Sequence, residues 1–296
     1  MATLREIRGR IVGIKSTQKI TQAMKMVAAA KLRRAQDNII SARPYAKKMD
    51  ELTHNLITKV NPEYNPLLAE RAVKRILIIV VTSDRGMCGA FNTNIIKKAV
   101  ELIDNNYSEL YKNNNIELLC IGKKGYQFFS KRNYTIYKSY INIFSRLDYS
   151  IAKDISNSLI ESFISEKFDK IEVVYNEFKS VIQQNLLVEQ LLPFEKPTIK
   201  KEEKHIKSLV DFIYEPNPKE IVNEIIPKHI NTKIWRILLE SYAAEEGSRM
   251  TAMDNANENA KEMISELNLQ FNKARQASIT TEILEIISGA NALQEA

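Results

Sequence analysis

Two long stretches of apolar residues at helical spacing, one at each end of the chain, constrain its fold most. Residues 3–58 read as one helix, because apolar side chains recur mostly at steps of three and four, as in a coiled-coil seam. Only polar residues lie between Ile14 and Ile20, so packing there is expected to be looser or to involve another partner. The seam residues are Leu4, Ile7, Ile11, Ile14, Ile20, Met24, Val27, Ala28, Leu32, Ala35 and Ile39. Pro44 predicts a kink in this helix, and the prolines within residues 61–66 end it.

The last stretch repeats this pattern from Lys219 to about Asn291. Asn217 is the predicted N-cap and Pro218 the first helical residue. Gly247 is a weak point in the helix, costing about 1 kcal/mol relative to alanine. The apolar steps run through Met253, Ala256, Ala260, Met263, Leu267, Phe271 and Ala274, and then through Ile279, Ile283, Ile286, Ala290 and Leu293.

Charge favours the pairing of these two helices. Residues 1–59 carry 13 Lys and Arg against 4 Asp and Glu, whereas residues 217–296 carry 8 against 12. At 1.5 Å per residue the helices are about 80 and about 100 Å long, too long to bury their stripes on a small domain. The sequence therefore predicts that the ends of the chain wind together as an antiparallel coiled coil.

The middle of the chain alternates between strands and helices. Strands are predicted at 75–82, 116–122, 133–141, 170–178 and 181–193, with helices between them, which indicates a mainly parallel sheet. The predicted fold class is α+β overall: a long two-helix coiled coil plus a central Rossmann-like α/β domain. Its predicted parts are residues 1–60, 61–216 and 217–296.

The loop TSDRGMCGAFNTN, residues 82–94, follows the first strand, where phosphate-binding loops lie in nucleotide-binding proteins. Gly86 and Gly89 are three residues apart, and no Lys-Ser or Lys-Thr pair follows them. The third glycine of a dinucleotide fingerprint is also missing. The pattern therefore favours a structural turn, and we expect no cofactor.

Other classes of function find little support. The two cysteines, Cys88 and Cys120, lie in or beside strand-like runs and are expected to be buried free thiols. The three histidines lack zinc spacing. No apolar run approaches about 20 residues, so no membrane span is expected. Aromatic residues do not interleave with the basic first helix, which argues against nucleic-acid binding.

Several motifs, in order along the whole chain, carry a family resemblance. They are IRGRIVGIKSTQKITQAMKMVAAAKLRRAQ, TSDRGMCGAFNTN, LLPF, FIYEPNP, ESYAAEEGSRMTAMDNANENA and NKARQASITTEILEIISGANAL. Together they resemble the gamma subunits of the rotary proton-translocating ATP synthase. The family often has a larger residue at the position of Gly247.

The resemblance implies a central rotor stalk that transmits rotation of the membrane proton-driven ring to three catalytic sites, and that regulates ATPase activity and proton flow. The implied partners are the alpha, beta and epsilon subunits and the membrane c-ring. The chain itself would be non-catalytic and peripheral on the cytoplasmic face of the bacterial membrane. The alternative is a coiled-coil scaffold or tether with an α/β cap, which predicts dimers.

The resemblance also implies contact residues. Met24 and Lys25 of the first helix, with Arg275, Gln276 and Thr280 of the last, match contacts with the catalytic subunits. After Arg275 no Lys or Arg follows, and an apolar bearing tip is expected from Ile283, Ile286, Ile287 and Leu293. Phe212, Tyr214 and Glu215 fall where the family meets the rotor ring.

Overall fold

The structure is a computed structural model that describes residues 3–59, 65–181, 183–194 and 217–294. The helices are α1 (Leu4–Lys59), α2 (Phe91–Asn106), α3 (Ser108–Lys112), α4 (Lys123–Phe129), α5 (Tyr149–Ile164) and α6 (Pro218–Gln294). The strands are β1 (Ile76–Val81), β2 (Ile116–Ile121), β3 (Thr135–Tyr140), β4 (Lys170–Phe178) and β5 (Gln184–Leu192). None of the described helices carries an apolar stretch long enough to cross a membrane.

The five strands form one sheet in the order β3-β2-β1-β4-β5. The pairs β1–β2, β1–β4 and β2–β3 are parallel, and β4–β5 is an antiparallel hairpin. All six residues of β1 are buried, because helices cover both faces of the sheet. The predicted strands and the mainly parallel sheet are confirmed.

Alternation along β1 divides the core into two layers. Leu77, Ile79 and Val81 face a layer formed mainly by α5 and by residues 222–238 of α6. Ile76 and Val80 face the opposite layer, which α2 and α4 dominate. Part of α6 therefore packs against the central sheet, whereas the sequence had predicted that the long helices bury their stripes on each other.

The chain divides into two compact units, and both long helices contribute to each of them. One unit comprises residues 29–248 and contains the sheet. Within it, residues 29–59 of α1 lie antiparallel to the first part of α6: Lys31 pairs with Glu246 at 3.6 Å, and Thr53 contacts His229. The other unit comprises residues 1–28 and 249–296.

The unit formed by the chain ends is an antiparallel helix pair. Lys25 forms an ion pair with Asp254. Earlier in α1, Ile14 lies beside Met263 and Leu267, so residue numbers rise on α6 as they fall on α1. The predicted antiparallel coil of the two chain ends is confirmed in this unit.

The seam of α1 differs from the prediction at three residues, since Lys25 takes the place predicted for Met24. Ile20 and Val27 are 58% and 56% exposed and lie outside the seam. Buried or partly buried residues instead recur at every third or fourth position without interruption, and some of them are polar. The seam consists of Leu4, Ile7, Ile11, Ile14, Gln18, Thr21, Lys25, Ala28, Leu32, Ala35 and Ile39. Regular geometry therefore outweighs side-chain polarity in deciding which residues face α6.

In α6, too, regular spacing rather than side-chain polarity decides which residues face the seam. Ile264 takes the place predicted for Met263, which is 52% exposed. The inward residues are Met250, Met253, Asn257, Ala260, Ile264, Leu267, Phe271, Ala274 and Ser278. Beyond Ser278 the side chains of Ile279, Ile283 and Ile286 are all exposed, so the seam with α1 ends there.

Both long helices begin with side-chain caps. Thr3 and Glu6 form a capping box at α1, in which each backbone N–H donates to the other side chain. At α6, Asn217 Oδ1 accepts a hydrogen bond from the Glu220 N–H at 2.9 Å, as the sequence predicted.

We predict that Leu267→Asp combined with Phe271→Asp weakens the helix pair. Both side chains are partly buried, and replacing them with charge removes apolar contact and places carboxylates in the seam. The expected cost is about 3 kcal/mol, measured as faster hydrogen exchange of the amides in residues 4–28. Leu269→Asp is the matched control, because Leu269 is 59% exposed on the same helix. Equal exchange in both variants would contradict the observed seam.

The unit that contains the sheet also buries a histidine. Nδ1 of His229 lies 3.2 Å from the Thr53 hydroxyl, and the ring packs edge-on against Phe194. Burial, together with the positive charges of Lys233 and Arg236, lowers the pKa of His229 from its ordinary 6.5 to about 4. The Asp50 carboxylate lies 3.6 Å from Nε2, and its side chain is 53% exposed.

This burial predicts sensitivity to acid. The unfolded chain binds a proton at His229 more readily than the folded chain, so stability falls as pH drops below 6.5. Relative to His229→Gln, the wild type should lose about 2 kcal/mol more in the free energy of unfolding between pH 7.5 and pH 5. Denaturant titrations of both proteins at several pH values measure this difference. Parallel pH profiles would show that His229 is not buried in the neutral form.

Candidate partner-binding surfaces

The loop after β1 is tied into the fold through its own polar groups. The Asp84 carboxylate accepts hydrogen bonds from the backbone N–H groups of Lys123 (3.0 Å) and Asn142 (2.7 Å). The Thr82 hydroxyl accepts from the Gly125 N–H at 2.8 Å and donates to the Ile121 carbonyl at 3.1 Å. These side chains are therefore used to join the loop to the neighbouring strand–helix connections.

Glycine is required where the chain passes this loop. Gly122 has φ of +91°, and a Cβ there would overlap the Thr82 carbonyl. Gly89 also has positive φ, at +57°. The glycines of this region therefore serve turns and close backbone approach, which agrees with the predicted structural turn.

Helix α6 packs closely against the β4–β5 hairpin. Ala244 is fully buried in the same core layer as Val80. The Gln184 amide donates to the Ala244 carbonyl at 2.7 Å, and a Cβ on Gly247 would lie 3.4 Å from the Phe178 ring. Gly247 is therefore a packing residue in a continuous helix.

The two cysteines are buried free thiols, as predicted. Burial raises the pKa of the Cys120 thiol to about 12, so this thiol stays protonated and unreactive near neutral pH. In the described part of the chain, no group of three or more His, Cys, Asp and Glu side chains is placed to hold a metal ion.

Of the expected contact residues of the first helix, Lys25 occupies a seam position and Met24 lies next to it. Met24 and Lys25 are both partly buried. The Lys25 ammonium pairs with Asp254 of α6, and both side chains remain more than a third exposed. This ion pair, which the sequence analysis did not identify, orients Lys25 at the edge of the helix pair. In the sequence, only the opposite net charges of the two chain ends indicated such an ion pair.

The expected contact residues of the last helix share an exposed surface. Arg275, Gln276 and Thr280 are all exposed, and the Thr280 hydroxyl donates to the Gln276 carbonyl at 2.9 Å. Offsets of one, four and five residues place them on neighbouring positions of one helix. The structure therefore brings these three residues together, clear of the seam.

The expected apolar tip is exposed. Ile283, Ile286 and Ile287 are 51%, 71% and 50% exposed, and Leu284 is exposed beside them. The backbone of Leu293 belongs to α6, but its side chain lies outside the described residues. Phe212, Tyr214 and Glu215 also lie outside them. A run of exposed aliphatic side chains on one helix indicates a surface that another protein covers.

The whole chain resembles one family of known proteins. A family model described as ATP synthase matches residues 3–293. The ATP synthase gamma chain of Chloroherpeton thalassium is 53% identical, covering 100% of this chain and 99% of that protein. The gamma chain of Prosthecochloris aestuarii is 52% identical, covering 99% of both.

Solved structures agree with this assignment. A central stalk and c-ring structure of the Tetrahymena thermophila mitochondrial ATP synthase is 27% identical, with a TM-score of 0.59, covering 80% of this chain and 99% of that chain. A Euglena gracilis mitochondrial ATP synthase chain is 20% identical, with a TM-score of 0.67, covering 98% and 94%, and shows the shared fold. The chain therefore belongs to the ATP synthase gamma chain family.

Proposed function

We propose that this chain is the central rotor stalk of a rotary ATP synthase, transmitting rotation of a membrane ring to the catalytic sites of an alpha/beta hexamer. The observation that carries the proposal is identity above 50% with gamma chains over essentially the full length of both partners. The likeness to a solved central stalk supports it. The alternative of a dimeric scaffold is less well supported, because the chain ends already pair with each other.

The exposed tip supports a place inside a collar of other subunits. Fully burying an isoleucine side chain is worth about 1.5–3 kcal/mol, so Ile283, Ile286 and Ile287 gain stability when an apolar sleeve covers them. No cation follows Arg275, which suits an apolar environment. In this proposal Ile283, Ile286, Ile287 and Leu293 form the bearing surface against the alpha and beta subunits.

The polar residues below the tip are proposed to transmit force. Arg275, Gln276 and Thr280 are exposed on α6 and supply charge-assisted and amide hydrogen bonds to a loop of a catalytic subunit. Lys25, held by Asp254, presents positive charge to an acidic segment of a beta subunit, with Met24 beside it. An orienting ion pair limits the number of side-chain conformations that Lys25 adopts on contact.

The chain is proposed to be non-catalytic and to regulate ATP turnover and proton flow through these contacts. Asp84 and Thr82 are engaged in backbone hydrogen bonds, which supports a structural role for their loop. The proposed domains are residues 1–60 and 217–296 for the coiled-coil helices and 61–216 for the base. The base is proposed to meet the epsilon subunit and, at Phe212, Tyr214 and Glu215, the c-ring on the cytoplasmic face.

Reconstitution tests the proposal directly. The chain is co-expressed with the alpha and beta subunits of the same organism, and the complex is purified through a tag on beta. We expect this chain in the complex at one copy per three alpha and three beta subunits, with ATP hydrolysis that depends on it. Hexamers that form and hydrolyse ATP equally well without the chain would contradict the proposal.

Arg275→Ala combined with Gln276→Ala should lower ATP turnover of that complex several-fold while the complex still assembles. The truncation removes polar contacts but leaves the seam residues Ala274 and Ser278 in place. The matched control is Lys261→Ala with Glu262→Ala, which changes two exposed side chains of the same helix. Full turnover in the first variant would show that these contacts are dispensable.

The Ile286→Glu substitution should weaken assembly with the alpha and beta subunits without changing the folding of the chain. Because this side chain is 71% exposed, the melting temperature of the isolated chain should not change. In an apolar collar the carboxylate would be buried without a partner, at a cost above 1.4 kcal/mol, so the concentration for half-maximal assembly should rise at least tenfold. Ile286→Met, which keeps an apolar side chain, is the control. If the Ile286→Glu variant assembles as well as the wild type, the tip does not lie in an apolar collar.

A further inference from the structure

A cluster of charged side chains lies where α6 meets the β4–β5 hairpin, within the unit that contains the sheet. Three structural elements besides α6 contribute to it. The members are Lys233, Arg236 and Glu240 of α6, Tyr175 and Glu177 of β4, Glu189 of β5 and Arg43 of α1. A charge buried away from water needs hydrogen-bond or ion-pair partners. The partners of each buried carboxylate therefore decide whether its charged form is stable.

Glu189 is well partnered. The Tyr175 hydroxyl donates to its Oε1 at 2.7 Å, and the Lys233 ammonium lies 3.3 Å from its Oε2. Although burial opposes ionisation, these neighbours hold the pKa of Glu189 below its ordinary value. This carboxylate therefore stays charged at neutral pH.

Glu240 differs from Glu189. Its side chain is 15% exposed, and Oε1 lies 3.8 Å from Nε of Arg236, one helical turn earlier, which is too long for a hydrogen bond. Its Oε2 is fully buried and accepts no hydrogen bond from any described residue. Within the described chain, an ionised Glu240 thus lacks the donors that would replace water.

The surrounding charges do not compensate for the missing hydrogen-bond donors at Glu240. Arg236 and Arg43 favour the carboxylate, whereas Glu177 and Glu189 disfavour it. Burial is the largest effect, and it raises the pKa of Glu240 from 4.5 to about 7. Glu177 itself accepts a hydrogen bond from the Asn185 amide at 3.0 Å, which fixes the position of its side chain.

We propose that Glu240 is a proton-binding switch that couples the packing of helix α6 on the β4–β5 hairpin to pH. The neutral acid is compatible with the buried site. Loss of the proton to water leaves a carboxylate that faces Glu177 and Glu189 with one oxygen unsolvated, which favours opening of the contact. The switch rests on this geometry and not on the proposed rotor function.

The sign of the effect follows from proton linkage. The folded site holds its proton up to higher pH than the opened chain, so the contact is strongest below pH 4.5 and weakens as pH rises towards 7. His229, on the same helix, changes stability in the opposite direction as pH rises. A comparison of variants is therefore needed to isolate Glu240.

Infrared titration of the full-length chain tests directly whether Glu240 is protonated. Between pH 6 and pH 8 nearly all ordinary carboxyl groups are ionised, so a protonated carboxylic acid band stands alone. The wild type should show such a band that disappears with a midpoint near pH 7 and is absent in Glu240→Gln. The control, Glu224→Gln, changes a glutamate with a 75% exposed side chain on the same helix and should retain the band. A wild-type band that persists in Glu240→Gln, or no band at pH 6, overturns the proposal.

Hydrogen exchange tests the coupling to structure. Glu240→Gln keeps the shape of the neutral acid and should fold. From pH 6 to pH 8, the opening constant of amides in residues 233–244, corrected for intrinsic exchange, should rise about tenfold more in the wild type than in Glu240→Gln. Glu224→Gln should follow the wild type. An equal pH dependence in wild type and Glu240→Gln would show that ionisation does not control the helix contact.

Discussion

The antiparallel pairing of residues 4–28 with residues 249–278 is the interaction on which the account depends. A single helix in water is only marginally stable, whereas two helices that share a seam stabilise each other. The seam here tolerates Thr21, Lys25 and Asn257, because each occupies a position that helical geometry directs inward. The Lys25–Asp254 ion pair adds a specific contact at the edge of the seam.

The same helix, α6, has a second role in the unit that contains the sheet. Residues 222–238 complete one core layer, and Ala244 enters the other. Ala244 and Gly247 of α6 also pack against the β4–β5 hairpin, next to Gln184 and Phe178. The loop after β1 is held by hydrogen bonds of Asp84 and Thr82.

The sequence predicted local features and the pairing of the chain ends, but not the detailed packing between distant elements. The β-branched run of β1 and the Asn217 cap depend on neighbouring residues, so their patterns were sufficient. In α1, ranking residues by polarity selected Ile20 and Met24, although strict spacing of three and four points to Thr21 and Lys25. The exposed isoleucines after residue 278 continued an apolar pattern but face outward, because a pattern does not say which protein covers it.

The buried charges around Glu189 and Glu240 had no signal in the sequence. Glu240 occupies an ordinary helical position, and only the approach of β4, β5 and α1 makes it unusual. His229 shows the same limit, since its burial depends on Thr53 and Phe194, which are distant in sequence. Such sites arise from the tertiary arrangement, and local patterns do not identify them.

Rotation of this chain inside an immobilised alpha/beta hexamer tests the central claim most directly. The hexamer is fixed to a surface through its beta subunits, and a bead is attached to a cysteine placed on the exposed edge strand β3. If the chain is the rotor, the bead turns in one direction when ATP is added and stops when ATP is removed. A bead that stays still while the same complexes hydrolyse ATP would contradict it.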